Sequence, residues 1–91
     1  MDARLIPGES YFIAPRGNVK YLGLRDARAY FSAKDGKIFI VALASALERI
    51  GDSIKLNNPQ NKFYVGDLDI FSKRDRTNLE VLTAELSGAI Q

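Results

Sequence analysis

The chain has 91 residues, 46% hydrophobic and 26% charged, with a net charge of +2. This length and composition predict one globular domain, residues 1–91, with a single modest core. The absence of Cys and His excludes disulfides, thiolate zinc sites and the usual catalytic triads. No apolar run reaches the ~20 residues of a membrane span, and residues 1–10 do not resemble a signal peptide. We therefore expect a soluble, cytoplasmic protein.

The N-terminus is expected to be an arm outside the main fold. Residues 1–9 contain Pro7 and Gly8, which interrupt regular structure. Leu5 and Ile6 are apolar, so we expect them to lie against the body of the domain.

A first β-hairpin is predicted after this arm. Tyr11–Ala14 and Val19–Leu24 are rich in residues that favour strands, and Pro-Arg-Gly-Asn between them is typical of a turn. Alternation along the second strand puts Val19, Tyr21 and Gly23 on one face, and Lys20, Leu22 and Leu24 on the other.

A second β-hairpin is predicted around Asp35-Gly36, which lies between Ala29–Ala33 and Lys37–Val41. Asp-Gly favours a two-residue type I′ turn, since both central positions need a positive φ. This turn predicts the cross-strand pairs Ile38–Ala33 and Ile40–Phe31. An alternative interpretation makes residues 24–34 and 37–51 two helices.

A central helix is predicted over Ala42–Ile50, because this segment is rich in Ala and Leu. Arg49 near its C-terminus complements the helix dipole, and Gly51 is typical of the left-handed residue that ends a helix. Residues 52–60, with Asn-Asn-Pro, are expected to form a loop.

A further strand is predicted near residues 62–71, with a bulge or turn at Gly66-Asp67. Within it, Lys62–Leu68 resembles the first-strand motif of RNA-recognition-motif domains. That family also needs a helix, two strands and a second aromatic motif downstream. Too few residues follow Leu68 for these elements, so we transfer no function from the resemblance.

A C-terminal helix is predicted over residues 78–90. Thr77 and Glu80 match a capping box, and an apolar stripe follows at helical spacing: Leu79, Leu82, Leu86 and Ile90. Asn78 is expected to face water. The resulting fold is α+β, an antiparallel sheet of four to five strands packed with helices 42–50 and 78–90.

The composition favours a non-enzymatic protein-interaction module, such as an adaptor, inhibitor or assembly subunit. Nine aromatic residues concentrate in the predicted strands, and two helices could leave one sheet face uncovered. The expected partner is another protein or a second copy, with no cofactor and no membrane. The candidate contact residues are Tyr11, Tyr21, Tyr30, Leu86 and Ile90.

Nucleic-acid binding is the alternative, because cations and tyrosines alternate in residues 16–30. The candidate cations are Arg16, Lys20, Arg25 and Arg28, with Lys73, Arg74 and Arg76 as a second cluster. The small net charge disfavours this function. A third hypothesis is a divalent-cation or acid–base site at Asp67 and Asp69, two residues apart on a predicted strand.

Overall fold

The computed structural model describes residues 5–13, 16–56 and 63–88. They form seven β-strands, two short 3₁₀ helices and one α-helix. The strands are β1 Ser10–Ile13, β2 Gly17–Arg25, β3 Arg28–Ala33, β4 Ile38–Val41, β5 Leu47–Ile50, β6 Ser53–Leu56 and β7 Phe63–Gly66. The 3₁₀ helices are Ala44–Ala46 and Leu68–Ile70, and α1 is Lys73–Ser87.

All seven strands belong to one sheet in the order β5-β6-β1-β2-β3-β4-β7. Every pairing is antiparallel except that of β1 with β6, which is parallel. The fold is therefore a small α+β domain with a mostly antiparallel sheet and a C-terminal helix. No helix in the described part of the chain is both long and apolar enough to cross a membrane.

The sheet must curl strongly, because a short connection joins strands at distant places in it. In a flat sheet, β4 and β5 would lie ~24 Å apart, at ~4.8 Å per strand. The chain from Val41 to Leu47 spans at most ~21 Å, and less where it forms a 3₁₀ helix. The amide of Ala44 also donates to the carbonyl of Ala27 over 2.9 Å, which ties this connection to the β2–β3 turn.

Curling divides the apolar residues into two clusters, one on each face of the sheet. The inner cluster draws from β1 to β6 and contains Tyr11, Ile13, Val19, Tyr21, Ala29, Phe31, Phe39, Val41, Leu47 and Ile54. The helix-side cluster lies between the sheet and α1 and contains Leu22, Tyr30, Ile40, Phe71, Leu79 and Leu82. Leu5 of the N-terminal arm packs against the inner cluster, whereas Ile6 is exposed.

The first hairpin is confirmed, since β1 and β2 pair antiparallel with Tyr11 opposite Val19. The predicted alternation along β2 is wrong after Tyr21, because the register with β3 shifts between Tyr21 and Gly23. This bulge turns both Leu22 and Gly23 toward α1, where a Cβ on Gly23 would lie 2.6 Å from Leu82. Leu24 then returns to the inner side, opposite Ala29.

The second hairpin is also confirmed, but its predicted register is wrong by one residue. Ile38 lies opposite Ser32, and Ile40 opposite Tyr30. The amide of Ala33 donates to the carbonyl of Lys37, so the loop has three residues and not two. Gly36 alone in this loop has a positive φ, of 86°, which is the position that a three-residue hairpin loop reserves for glycine.

The prediction of a helix over Ala42–Ile50 is wrong. Only Ala44–Ala46 is helical, as a 3₁₀ turn, and Leu47–Ile50 is strand β5, which pairs with β6. A nine-residue helix is too short to be stable by propensity alone, and the ladder with β6 supplies backbone partners instead. Gly51 has the expected positive φ, 61°, but in the β5–β6 turn. This additional hairpin raises the strand count above the predicted four to five.

The strand predicted near 62–71 is shorter than expected, since β7 ends at Gly66 and a 3₁₀ helix follows. The C-terminal helix begins five residues earlier than its predicted start, because Ser72 rather than Thr77 caps it. The Oγ atom of Ser72 accepts from the amide of Asp75 over 3.2 Å. Gly88, with φ 76°, is its C-cap; residues 89 and 90, which the prediction included, lie outside the described chain.

Candidate functional site

The three tyrosines proposed as contact residues are buried. Tyr11 and Tyr21 belong to the inner cluster and Tyr30 to the helix-side cluster, with exposures of 2%, 7% and 0%. The reason is the curled sheet, which encloses one face, and α1, which covers the other. These rings therefore contribute to the core and not to an exposed aromatic face.

Of the two apolar helix residues proposed with them, Leu86 is partly buried against the helix-side cluster. Ile90 lies outside the described residues.

A buried polar cluster joins the β2–β3 hairpin to the first two turns of α1. The hydroxyl of Tyr30 donates to Oδ1 of Asp75 over 2.7 Å and accepts from Nδ2 of Asn78 over 2.9 Å. Asn78 also donates to Asp26 over 2.8 Å, and its Oδ1 accepts from Nε of Arg25 over 3.0 Å. Asn78 is thus 4% exposed and not water-facing as predicted, because it lies one helical turn before Leu82 on the side of α1 that faces the sheet.

The second carboxylate oxygen of Asp75 is also engaged. It accepts from the hydroxyl of Ser72 over 3.1 Å and lies 3.4 Å from the Arg28 guanidinium. Burial is the main cause that raises the pKa of Tyr30 to about 12, and the adjacent Asp75 adds to it. Because each buried polar group of this cluster has hydrogen-bond partners, the cluster stabilises the packing of α1 against the sheet. We call this cluster the polar clamp.

The basic segment 16–28 does not form a free cationic surface. Besides the contacts of Arg25 and Arg28 with the polar cluster, Arg16 forms an ion pair with Asp35 at 3.2 Å. The Lys37 amide, and then Arg16, lower the pKa of Asp35. Three of the four proposed cations in this segment therefore have acceptor partners within the domain.

The remaining proposed cations lie on or near α1. Lys20 and Arg76 line an apolar groove of about 610 Å³ between the sheet and α1, together with Leu22, Ile38, Leu68 and Leu79. Lys73 and Arg74 are exposed in the first turn of α1. The structure thus distributes the basic residues over several surfaces.

Asp67 and Asp69 do not share a strand face, because the strand has ended before them. Asp67 directly precedes the second 3₁₀ helix without capping it by a side-chain hydrogen bond, and it forms an ion pair with Lys37 at 2.8 Å, which raises the pKa of Lys37. Within residues 5–13, 16–56 and 63–88, no three His, Cys, Asp or Glu side chains are grouped closely enough to hold a metal ion.

The exposed apolar side chains are concentrated at strand β7 and just after it. Phe63, Tyr64 and Val65 are 43%, 43% and 36% exposed, and Leu68 and Ile70 are 48% and 65% exposed. We call these five residues the β7 surface. Strand β7 is the last strand of the sheet and pairs only with β4 among the described strands.

The β7 surface extends over both faces of this edge strand. Val65 lies opposite Phe39 of the inner cluster, and the Phe63 ring is 5.2 Å from the Phe39 ring. Tyr64 lies opposite Ile40 on the helix side. Ile70 packs against Gly66 on that same side, since a Cβ on Gly66 would overlap it. An apolar ligand could therefore contact both faces and the backbone edge between them.

Sequence reasoning missed this surface because Phe63–Gly66 resembles any other buried strand. Nothing local indicates that β7 lies at the sheet edge, which is decided by the topology. The lack of charged residues in this strand was available from the sequence, but in a central strand it is ordinary.

The fold and its exposed edge define a small α+β domain with a curled, mostly antiparallel sheet and a C-terminal helix. No protein-family model matches this sequence, and comparisons with curated proteins and with solved structures give no significant match.

Proposed function

We propose that this protein is a protein-interaction module that binds an extended peptide segment by adding it to the edge of β7 that faces away from β4. The observation that carries the proposal is the β7 surface, five large apolar side chains exposed around an edge strand. In this mode, backbone hydrogen bonds provide affinity and alternate side chains provide specificity.

The chemistry of the edge supports strand addition. In a strand with one neighbour, every second residue directs its amide and carbonyl away from that neighbour. Monomeric proteins usually protect such an edge with lysine, proline or a bulge. Strand β7 reads Phe-Tyr-Val-Gly and contains none of these. The proposed activity is binding and not catalysis, since the polar atoms of the buried Asp75 and Asn78 side chains already form hydrogen bonds within the domain.

Nucleic-acid binding has less support as an activity of this chain. Arg16, Arg25 and Arg28 are held by acceptors of the domain, and phosphate would have to compete with them. We therefore favour an extended peptide as the ligand.

The proposal can be tested by selecting random displayed peptides against the immobilised protein and measuring their affinities by fluorescence anisotropy. Selected peptides should bind Val65→Lys at least about tenfold more weakly, because a lysine in an edge strand opposes strand addition. Leu24→Lys is the matched control, since Leu24 is also exposed, at 57%, but lies on β2. Failure to enrich any peptide, or equal binding to Val65→Lys and wild type, would refute the proposal.

A further inference from the structure

We infer that the extended segment that β7 accepts is β7 of a second copy of this chain. This inference rests on the proposed function and names its partner. The two copies would pair antiparallel about a twofold axis, so that the two curled sheets become continuous across the dimer.

The strand is self-complementary in charge. None of the four β7 residues is charged, so antiparallel pairing with itself brings no like charges opposite one another. The nearest described acid, Asp67, is neutralised by Lys37 at 2.8 Å. The whole chain carries only +2, so two copies repel one another weakly.

The faces of β7 restrict how the copies can pair. Residues that lie directly opposite one another in a sheet have their side chains on the same face. A register shifted by one residue would therefore pair inner-side residues of one copy with helix-side residues of the other. Phe63 and Val65 lie on the inner side, and Tyr64 lies on the helix side. The register that pairs all three residues sets Tyr64 opposite Tyr64 of the second copy, with Phe63 opposite Val65 on each side of the axis.

The area of the β7 surface matches what a weak dimer needs. With ~200 Å² per large side chain, the exposed fractions correspond to about 470 Å² on each copy. Two copies that cover this surface completely would bury about 940 Å², which lies in the size range of weak, transient interfaces. Dimerisation should therefore be reversible and depend on protein concentration.

Sedimentation velocity of the full chain from about 10 µM to about 1 mM tests the inference. We expect a monomer–dimer equilibrium in the wild type. Tyr64→Lys and Tyr64→Glu, each alone, should dimerise more weakly than the wild type, because the twofold axis would bring like charges together. An equimolar mixture of the two variants should dimerise about tenfold more tightly than either alone.

Circular dichroism is used to check that each variant is folded. Val65→Lys is a second variant that disrupts the same strand edge. Leu24→Lys should dimerise like the wild type. A wild type that stays monomeric up to the highest concentration would refute self-pairing, while the peptide-binding test would still decide the proposed function. A dimer unaffected by Tyr64→Lys and Val65→Lys would also refute it, because the contact would then lie elsewhere.

Discussion

Replacing Tyr30 by phenylalanine tests whether the buried polar cluster clamps the helix to the sheet. The substitution removes one hydroxyl and leaves the ring in place within the helix-side cluster. Asp75 then loses its 2.7 Å donor, and Asn78 loses its 2.9 Å acceptor. Both of these side chains are buried, so water cannot easily replace the missing hydroxyl.

The expected loss of unfolding free energy is about 2–3 kcal/mol at neutral pH, since a buried hydrogen bond to a charged group is removed and its partners stay buried. For a domain of this size, the loss lowers the melting temperature by about 10–20 °C. Tyr64→Phe is the matched control, because it makes the same chemical change at a ring that is 43% exposed, and it should change stability by less than about 0.5 kcal/mol.

The stabilisation from Tyr30 should disappear at alkaline pH. The pKa of Tyr30 is about 12 in the folded protein, above the ordinary value of 10.0. Between these values the unfolded chain releases the phenolic proton and the folded chain retains it, so the free energy of unfolding falls as pH rises. The two-unit difference corresponds to about 2–3 kcal/mol. The stability gap between wild type and Tyr30→Phe is therefore present below pH 10 and lost by about pH 12.

Urea unfolding followed by circular dichroism, repeated at pH values from 7 to about 12, measures both effects. Tyr21, whose pKa is also raised, is present in the wild type and in both variants, so its contribution cancels from the differences. If Tyr30→Phe were as stable as Tyr64→Phe at pH 7, the polar cluster would not be a stabilising clamp. A gap independent of pH would contradict the assigned titration.

Three further substitutions test local features of the fold. Ala27→Gly should stabilise by about 1 kcal/mol, because Ala27 has a φ of 62° in the β2–β3 turn; a lower melting temperature would contradict this. Ser72→Ala should cost about 1 kcal/mol of unfolding free energy and Thr77→Ala almost nothing, because Ser72 caps the helix; the reverse order would place the helix start at the later residue. Gly23→Ala should lower the free energy of unfolding by about 2 kcal/mol or more, since its Cβ would lie 2.6 Å from Leu82 and its φ is 145°; wild-type stability would show that no bulge is present.

Local sequence signals located most of the elements but not their details. The turn sequences placed both N-terminal hairpins, yet the length of the Asp35-Gly36 loop shifted one register. The bulge at Leu22–Gly23 left no signal beyond one glycine. The helix predicted over Ala42–Ile50 failed because propensity over nine residues is weaker than the strand pairing available to Leu47–Ile50.

For the candidate site, the sequence shows which side chains are aromatic or charged, but it does not show which of them are exposed to solvent. The tyrosines at 11, 21 and 30 and the arginines at 16, 25 and 28 were identified from sequence, but most became core or ion-pair residues. Burial depends on which strands become neighbours, and that information is not local.

The sequence by itself predicted an α+β fold without thiol or imidazole side chains, the positions of its N-terminal turns and its amphipathic C-terminal helix. Only the tertiary structure decided that the sheet curls, that Asp75 and Asn78 are buried, and that Phe63–Gly66 lies at an edge. The physical reason is that turns and amphipathic patterns depend on neighbours in the chain, whereas exposure depends on contacts between distant segments. The uncharged strand β7 is a candidate binding surface only because of its position at the end of the sheet.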